Sequence, residues 1–346
     1  MRARRLDATP DAIARCAELL AHGELVAFPT ETVYGLGAHA LDAPAVEAIY
    51  RAKRRPRSDP LIVHVADAAS AFALTSLDAA DRAIAERLAA LWPGPLTLVL
   101  GAAQLVPAVV RAGGETVGLR VPAHPVASAL LATSRLPIAA PSANRFGHVS
   151  PTSAEHVLAD LGDEAITVLD GGPCRVGIES TVARVEAGKI TVLRRGVITP
   201  SELGARANAP VEVHERHLGA RDAQAAPGQQ LTHYAPSRPA FLFAATPSPE
   251  HHADATIAPA ACALVDFGGR AARLADGVRA YVDLSSAGDA REAAARLFAT
   301  LRELESRDDV EAILLPDLHD APDERVRALF DRLFRAASGR RARLAG

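Results

Sequence analysis

Leu25-Val-Ala-Phe-Pro-Thr-Glu-Thr-Val-Tyr-Gly-Leu-Gly37 sets the reading of the whole chain. Leu25 to Phe28 is a short apolar run of the kind that forms a buried strand, and Pro29 ends it. Three hydroxyl residues (Thr30, Thr32, Tyr34) and two glycines (Gly35, Gly37) then follow directly, which makes a tight polar turn at a strand end. Open α/β sheets place their ligands at strand ends, although an ordinary strand-to-helix turn would have the same composition.

Outward from that stretch the pattern repeats. Thr9-Pro10-Asp11 starts a helix whose apolar face is Ile13, Cys16, Leu19 and Leu20, and Gly23 stops it. A second helix runs from Pro44 to about Lys53, and Leu61 to Val65 is a buried strand. Asp78 to Leu91 is a longer amphipathic helix closed by Pro93-Gly94-Pro95. Leu96–Leu100, Val117–Val121 and Leu136–Ala140 are further strands. Val182–Val185 and Ile190–Leu193 flank Ala187-Gly188 as a hairpin. The first 200 or so residues are therefore an α/β domain with a mixed sheet. Periodicity fades from about Gly196 to Ala235, and Gly219 to Gln230 has a linker's composition. Beyond Pro236 a second α/β pattern follows: a strand at Ala261–Phe267, a helix from Asp289 to Ser306, a strand at Val310–Leu315 and a helix from Asp323 to Ala337. The expected division is a first domain over 1–206, a linker over 207–235, and a smaller domain over 236–346; which of them carries chemistry depends on the motifs below.

Bulk properties exclude several classes. The chain has 346 residues with 38 basic and 41 acidic side chains, a balance that does not suit a nucleic-acid coat. No apolar run is long enough to span a bilayer. The basic N-terminus has no apolar segment behind it, which excludes a signal peptide and points to the cytoplasm. Three scattered cysteines form neither a disulfide framework nor a zinc pattern. A dinucleotide GxGxxG after a strand, GxSxG and HExxH are absent, and Gly172-Pro-Cys-Arg-Val-Gly177 lacks the lysine that a phosphate-binding loop needs.

What remains is a set of polar islands. Arg51-Ala-Lys-Arg-Arg-Pro-Arg57 carries five cations, including one of the chain's two lysines, where a helix gives way to a strand. At a loop mouth such cations can neutralise a polyphosphate; elsewhere they make a solvated face. His64 lies inside a strand, where a histidine is more often a satisfied core residue. Arg120 lies inside the apolar strand Gly118-Leu-Arg-Val, so its guanidinium needs solvent, an internal acid or an anionic ligand. Pro141-Ser-Ala-Asn144 with Ser150, Glu179-Ser-Thr-Val182 and Leu193-Arg-Arg-Gly196 complete the set.

In order, Pro29–Gly37, Lys53-x-Arg55-Pro56, Pro60-Leu-Ile-Val-His64, Pro141-Ser-Ala-Asn144, Glu179-Ser-Thr-Val182 and Leu193-Arg194-x-Gly196 resemble the YrdC-like proteins. The likeness continues more loosely through His233-Tyr-Ala-Pro236 and Leu297-Phe-x-x-Leu-Arg-x-Leu304. It is that of the long form of the threonylcarbamoyl-adenylate synthase family. The resemblance implies a twisted open mixed sheet with a deep cavity, plus a smaller Rossmann-like α/β domain. It implies a nucleotidyltransferase: L-threonine, bicarbonate and ATP, with Mg²⁺, give threonylcarbamoyl-AMP and pyrophosphate. Transferase proteins downstream then modify tRNA next to the anticodon, and a weak direct RNA contact belongs to the same expectation.

Carried over by position, Thr32, His64, Arg120 and Ser180 bind threonine. Lys53, Arg55, Asp59, Thr116, Ala140, Ser142, Asn144, Ser150, Arg194 and Tyr234 bind ATP, Tyr234 from a closing linker. No catalytic acid, base or nucleophile is implied. Asp59 stands where asparagine is commoner in the family and requires a cation beside it, and Arg195 replaces the usual proline. The competing reading is a double-stranded RNA-binding or ribosome-assembly protein, resting on the basic run.

Overall fold

The computed structural model describes residues 2–214, 231, 233–244 and 253–345. Contacts divide the chain into two units. One comprises Met1–Phe146, Ser150–Arg175 and Glu179–Gln229; the other comprises Gly147–Val149, Val176–Ile178 and Gln230–Gly346. The expected linker stretch from Gly219 to Gln230 lies outside the described residues.

The first unit contains, in chain order, β1 (Arg4–Asp7), α1 (Pro10–Ala21), β2 (Leu25–Pro29), β3 (Tyr34–His39), α2 (Ala43–Lys53), β4 (Ile62–His64), α3 (Ala68–Phe72), α4 (Ala79–Ala89) and β5 (Leu96–Gly101). It continues with β6 (Thr116–Arg120), α5 (Pro125–Ser134), β7 (Ile138–Ala139), α6 (Ala154–Leu161), β8 (Ile166–Asp170), β9 (Thr181–Glu186), β10 (Lys189–Arg194), α7 (Pro200–Ala207) and β11 (Val211–Val213). The strands form one mixed 11-stranded sheet, ordered β1-β8-β2-β3-β7-β4-β6-β5-β9-β10-β11. This is the expected mixed α/β sheet, with its larger apolar clusters packed between sheet and helices.

The opening stretch does not lead into a helix. It turns back as β3, antiparallel to β2 with Phe28 opposite Gly35. The two glycines are there for approach. A Cβ on Gly37 would lie 2.8 Å from both Ile138 and Phe28, and one on Gly35 would lie 3.1 Å from the Ala140 Cβ. Their absence of side chain lets β3 pair with β7 and lets Gly35 bridge to Ser142, bringing the opening stretch and the Pro141–Asn144 island together. α2 starts on an Asp42 cap and ends on Arg54 in a left-handed conformation (φ 53°), which reverses the chain at the basic run.

Periodicity alone missed several elements. The stretch where it fades contains α7, held by a capping box between Thr199 and Glu202, and then β11, which extends the large sheet beyond residue 206. Both are short edge elements whose order comes from local caps and pairing rather than a long apolar face. β1 is mostly exposed and was invisible for the same reason.

The second unit contains β12 (Ala240–Phe243), β13 (Ala255–Ile257), β14 (Cys262–Asp266), β15 (Ala280–Asp283), α8 (Ala290–Glu305), β16 (Ala312–Pro316), α9 (Glu324–Ala336) and β17 (Ala342–Leu344). Four strands form a parallel sheet ordered β12-β16-β14-β15, and β13 pairs with β17. This is the smaller α/β unit expected beyond Pro236. It also takes in two short pieces from earlier in the chain. Ala235 N–H donates to the Gly147 carbonyl at 2.9 Å, and Arg302 donates to the Val149 carbonyl. Gly177 (φ +80°) lies against α8 so closely that a Cβ would come 2.3 Å from the Ala294 carbonyl oxygen.

Candidate active site

The site is built from the bottom of the first turn. Thr30 Oγ1 donates to the Val33 carbonyl at 2.7 Å and sits 2.8 Å from Thr32 Oγ1. Thr30 has one hydroxyl proton and spends it on Val33, so Thr32 is the donor between the two. The turn is thereby rigid, and the lone pairs of Thr32 Oγ1 stay available to a further donor. Thr30, Glu31 and Thr32 are all buried.

β4 and β6 run parallel with His64 opposite Arg120, so both side chains stand on the same face. Thr116 shares that face of β6 by strand alternation. Arg120 is 4% exposed, and its Nη2 lies 2.8 Å from Glu31 Oε1. The contact is close but not aligned as a hydrogen bond. Arg120 Nε and Nη2, Glu31 Oε1 and His64 Nδ1 have no hydrogen-bond partner among the described residues. Burial, and then the positive charge of Arg120, pushes the His64 pKa down to about 3, so its imidazole is neutral. Such a group of buried, unsatisfied polar atoms costs stability unless a ligand meets it.

Next to it, Ser180 Oγ lies 2.8 Å from Thr97 Oγ1, and Arg194 donates to both the carbonyl and the hydroxyl of Ser180 at 3.1 Å. The chain can pass this close because residue 196 is glycine. A Cβ there would sit 2.4 Å from the Thr181 backbone nitrogen. Ser150 donates to Glu179 at 2.5 Å, which ties an expected nucleotide position to the segment that carries the expected threonine contact Ser180.

The basic run divides. Arg51, Arg54 and Arg57 are exposed, whereas Lys53 and Arg55 turn inward. Arg55 meets Asp59 at 2.7 Å and donates to the Asp59 and Pro60 carbonyls. Asp59 therefore has the neighbouring cation that its carboxylate required. Burial still dominates and pushes its pKa up to about 6. With only three of five cations outward there is no continuous basic stripe, which removes the footing of the double-stranded RNA reading.

Lys53 lies differently from the sequence expectation. Its ammonium is buried and donates to the Ser142 and Asn144 carbonyls, so it holds that loop from beneath. Burial drives its pKa well below the usual lysine value, with Arg55 acting in the same direction. Ala140 is buried, its N–H donates to the Ile62 carbonyl at 2.9 Å, and the Ser142 side chain is half-buried above it. Asn144 Nδ2 donates to the Arg145 carbonyl at 2.8 Å.

Thirteen of the predicted positions thus lie in the first unit on one run of strand ends and turns. Tyr234 belongs to the second unit. There its ring packs 5.4 Å from Phe298 and 4.1 Å from His233, with the Arg332 guanidinium 5.5 Å from its centroid. Two site residues escaped the sequence reading, Glu31 and Thr97. Each had a signal: a carboxylate inside the polar turn, and a lone hydroxyl in the apolar strand Leu96-Thr-Leu-Val-Leu100.

The same order of motifs is matched over residues 18–196 by the family model Sua5_yciO_yrdC, described as telomere recombination. The model of the threonylcarbamoyl-AMP synthase C-terminal domain matches residues 192–338. The chain belongs to the threonylcarbamoyl-AMP synthase family. The Bacillus subtilis threonylcarbamoyl-AMP synthase is 44% identical over 241 residues, 69% of either chain. That of Pyrococcus abyssi is 43% identical over 226 residues, 64% of either chain. Among solved structures, P. abyssi Sua5 complexed with L-threonine covers 100% of both chains at 33% identity and a TM-score of 0.82. A P. abyssi Sua5 in which a histidine and the tyrosine after it are both alanine covers 99% of this chain and 98% of that one, at 31% identity and a TM-score of 0.81. The long form of the family, with both domains, is thus the one present. No helix among the described residues is long and apolar enough to cross a membrane.

Proposed function

We propose that this chain makes threonylcarbamoyl-AMP and pyrophosphate from L-threonine, bicarbonate and ATP, acting as a nucleotidyltransferase. The observation that carries this reading is the buried set of Arg120, His64 and Glu31 with unmet hydrogen-bonding atoms; Thr32 follows Glu31 in the same turn, and Ser180 is held by Thr97 of β5, the strand paired with β6. That set matches a small zwitterion with a hydroxyl, and a close structural relative was solved with L-threonine.

The chemistry asks mainly for position. The threonine ammonium first gives up a proton to solvent or bicarbonate; the neutral amine adds to carbon dioxide and loses a second proton to become a carbamate, whose oxygen attacks the α-phosphate while pyrophosphate leaves. Alignment and charge neutralisation supply most of the rate in such transfers, so no protein nucleophile is needed. Arg120 takes the amino-acid carboxylate as a fork, and neutral His64 and the hydroxyls of Thr32 and Ser180 orient the rest. Arg55, balanced by Asp59, faces the phosphates, and Mg²⁺ arrives as part of the ATP substrate. Thr116, Ser142, Asn144, Ser150, Arg194 and the backbone at Ala140 receive the nucleotide. Lys53 acts through the loop it holds. The expected nucleotide contact of Tyr234 is tested at the pair His233-Tyr234, since a structural relative was solved with an adjacent histidine and tyrosine both replaced by alanine. The product then passes to tRNA-modifying transfer proteins, in a cytoplasm that contains ATP and tRNA.

The test is pyrophosphate release by the purified protein with Mg²⁺, omitting L-threonine, bicarbonate and ATP in turn. Release is expected only with all three, together with an adenylate that carries the threonine carbons. No such adenylate in the complete mixture sinks the reading.

A further inference from the structure

We infer that Glu31 is the site's receptor for the α-ammonium group of the amino-acid substrate, the counterpart of Arg120 for its carboxylate. This rests on the threonine-binding reading above and adds to it a residue that the motif resemblance left without a role.

Three observations lead to it. Glu31 is 4% exposed and its carboxylate is fixed at one end only: Oε2 accepts the Ala123 N–H at 3.1 Å, just past the end of β6. The other oxygen, Oε1, lies 2.8 Å from Arg120 Nη2, yet neither atom has a hydrogen-bond partner among the described residues. The Thr30 bonds fix the turn from which the side chain starts, and the Ala123 N–H holds the carboxylate's other end. A buried ion pair that serves the fold alone recovers its desolvation cost through well-aligned hydrogen bonds on both partners. This pair leaves bonding capacity open on each side.

Charge balance gives the occupant. The empty pair of Arg120 and Glu31 is neutral, and an amino-acid zwitterion is neutral too. When the carboxylate takes Arg120 and the ammonium takes Glu31, two ion pairs replace one and no net charge is buried. An α-hydroxy acid would bring only its anion. It would take Arg120 away from Glu31 and leave a buried carboxylate unpaired, which is strongly unfavourable. Of the basic groups near Glu31 other than Arg120, His124 has its pKa lowered by burial and is neutral near pH 7, and Arg175, which acts on His124 in the same direction, is exposed to solvent. The site therefore selects amino acids over hydroxy acids by the charge at Glu31.

The experiment is calorimetric titration with L-threonine and with (2S,3R)-2,3-dihydroxybutanoate, which keeps the carboxylate and the β-hydroxyl but replaces the ammonium by a hydroxyl. Wild-type protein is expected to prefer threonine by about 10- to 100-fold, the value of a charged hydrogen bond. Glu31→Gln retains an acceptor for the Ala123 N–H. It should lose most of that preference by weakening threonine binding, while the hydroxy acid binds as well as before or better. Arg120→Ala should weaken both ligands. Equal weakening of both by Glu31→Gln, or no change in either, overturns the assignment and leaves Glu31 a structural counter-ion. If Glu31→Gln does not fold, the wild-type preference decides alone: equal binding of the two ligands overturns the assignment. Wild-type protein that binds no threonine at all would instead remove the functional reading on which this one rests.

Discussion

Asp59→Asn isolates a single buried charge. Asp59 is 0% exposed, and despite Arg55 at 2.7 Å burial pushes its pKa from 3.8 to about 6. An acid with a raised folded pKa binds its proton more tightly in the native state, so its contribution to stability falls as pH rises from about 4 to about 6 and stays low above that. A rise of that size corresponds to about 3 kcal/mol. His64 has the opposite sign. Its folded pKa is lowered to about 3 from 6.5, so it contributes stability above pH 6.5 that is lost as pH falls toward 3. Between pH 4 and 6 the two slopes are opposite and nearly equal, and they cancel in the wild type. Removing the carboxylate uncovers the His64 slope, about 1.4 kcal/mol per pH unit. Relative to the wild type, the Asn variant should gain about 3 kcal/mol between pH 4 and pH 7. Urea denaturation at half-unit pH steps, followed by the fluorescence of Trp92, measures it; Trp92 is the chain's single tryptophan and lies in the first unit, with its indole N–H on the Leu96 carbonyl. A stability difference that is flat in pH, or a wild type that gains on the variant as pH rises, would refute the reasoning. Either result would mean that the attraction of Arg55 outweighs burial.

Three further outcomes are expected. Arg120→Ala should raise the KM for threonine at least ten-fold more than that for ATP, because its free guanidinium atoms face the amino-acid set; equal effects in steady-state assays would count against the carboxylate role. Lys53→Met leaves the Ser142 and Asn144 carbonyls without their donor, and should cost about 1–3 kcal/mol and raise the KM for ATP, read by urea denaturation and by nucleotide titration. Gly196→Ala drives a Cβ to 2.4 Å from the Thr181 nitrogen, so the backbone must move; a loss of about 3 kcal/mol or more in the first unit's denaturation curve, together with weaker threonine binding through displaced Ser180, is the expected result.

The chain's own letters decided a good deal. Apolar runs such as Leu96–Leu100 and Cys262–Asp266, and capped helices such as those starting at Pro10 and Ala290, follow from periodicity and end signals that act within a few residues. The ordered motifs also marked the family and supplied the candidate site positions, because each island puts polar side chains where a strand ends. Tertiary structure decided the partners. That Gly35 would bridge to Ser142, that His64 would stand beside Arg120, and that β11 would extend the sheet depend on pairing between segments far apart in sequence. The fate of the basic run was decided the same way. Lys53 and Arg57 are chemically alike and four residues apart, yet one is buried on two carbonyls and the other is exposed beside Glu47. Glu31 is the sharpest case. Its place in the polar turn was plain to read, but a carboxylate's task depends on which charge the fold sets against it, and Arg120 arrives from a strand almost ninety residues later.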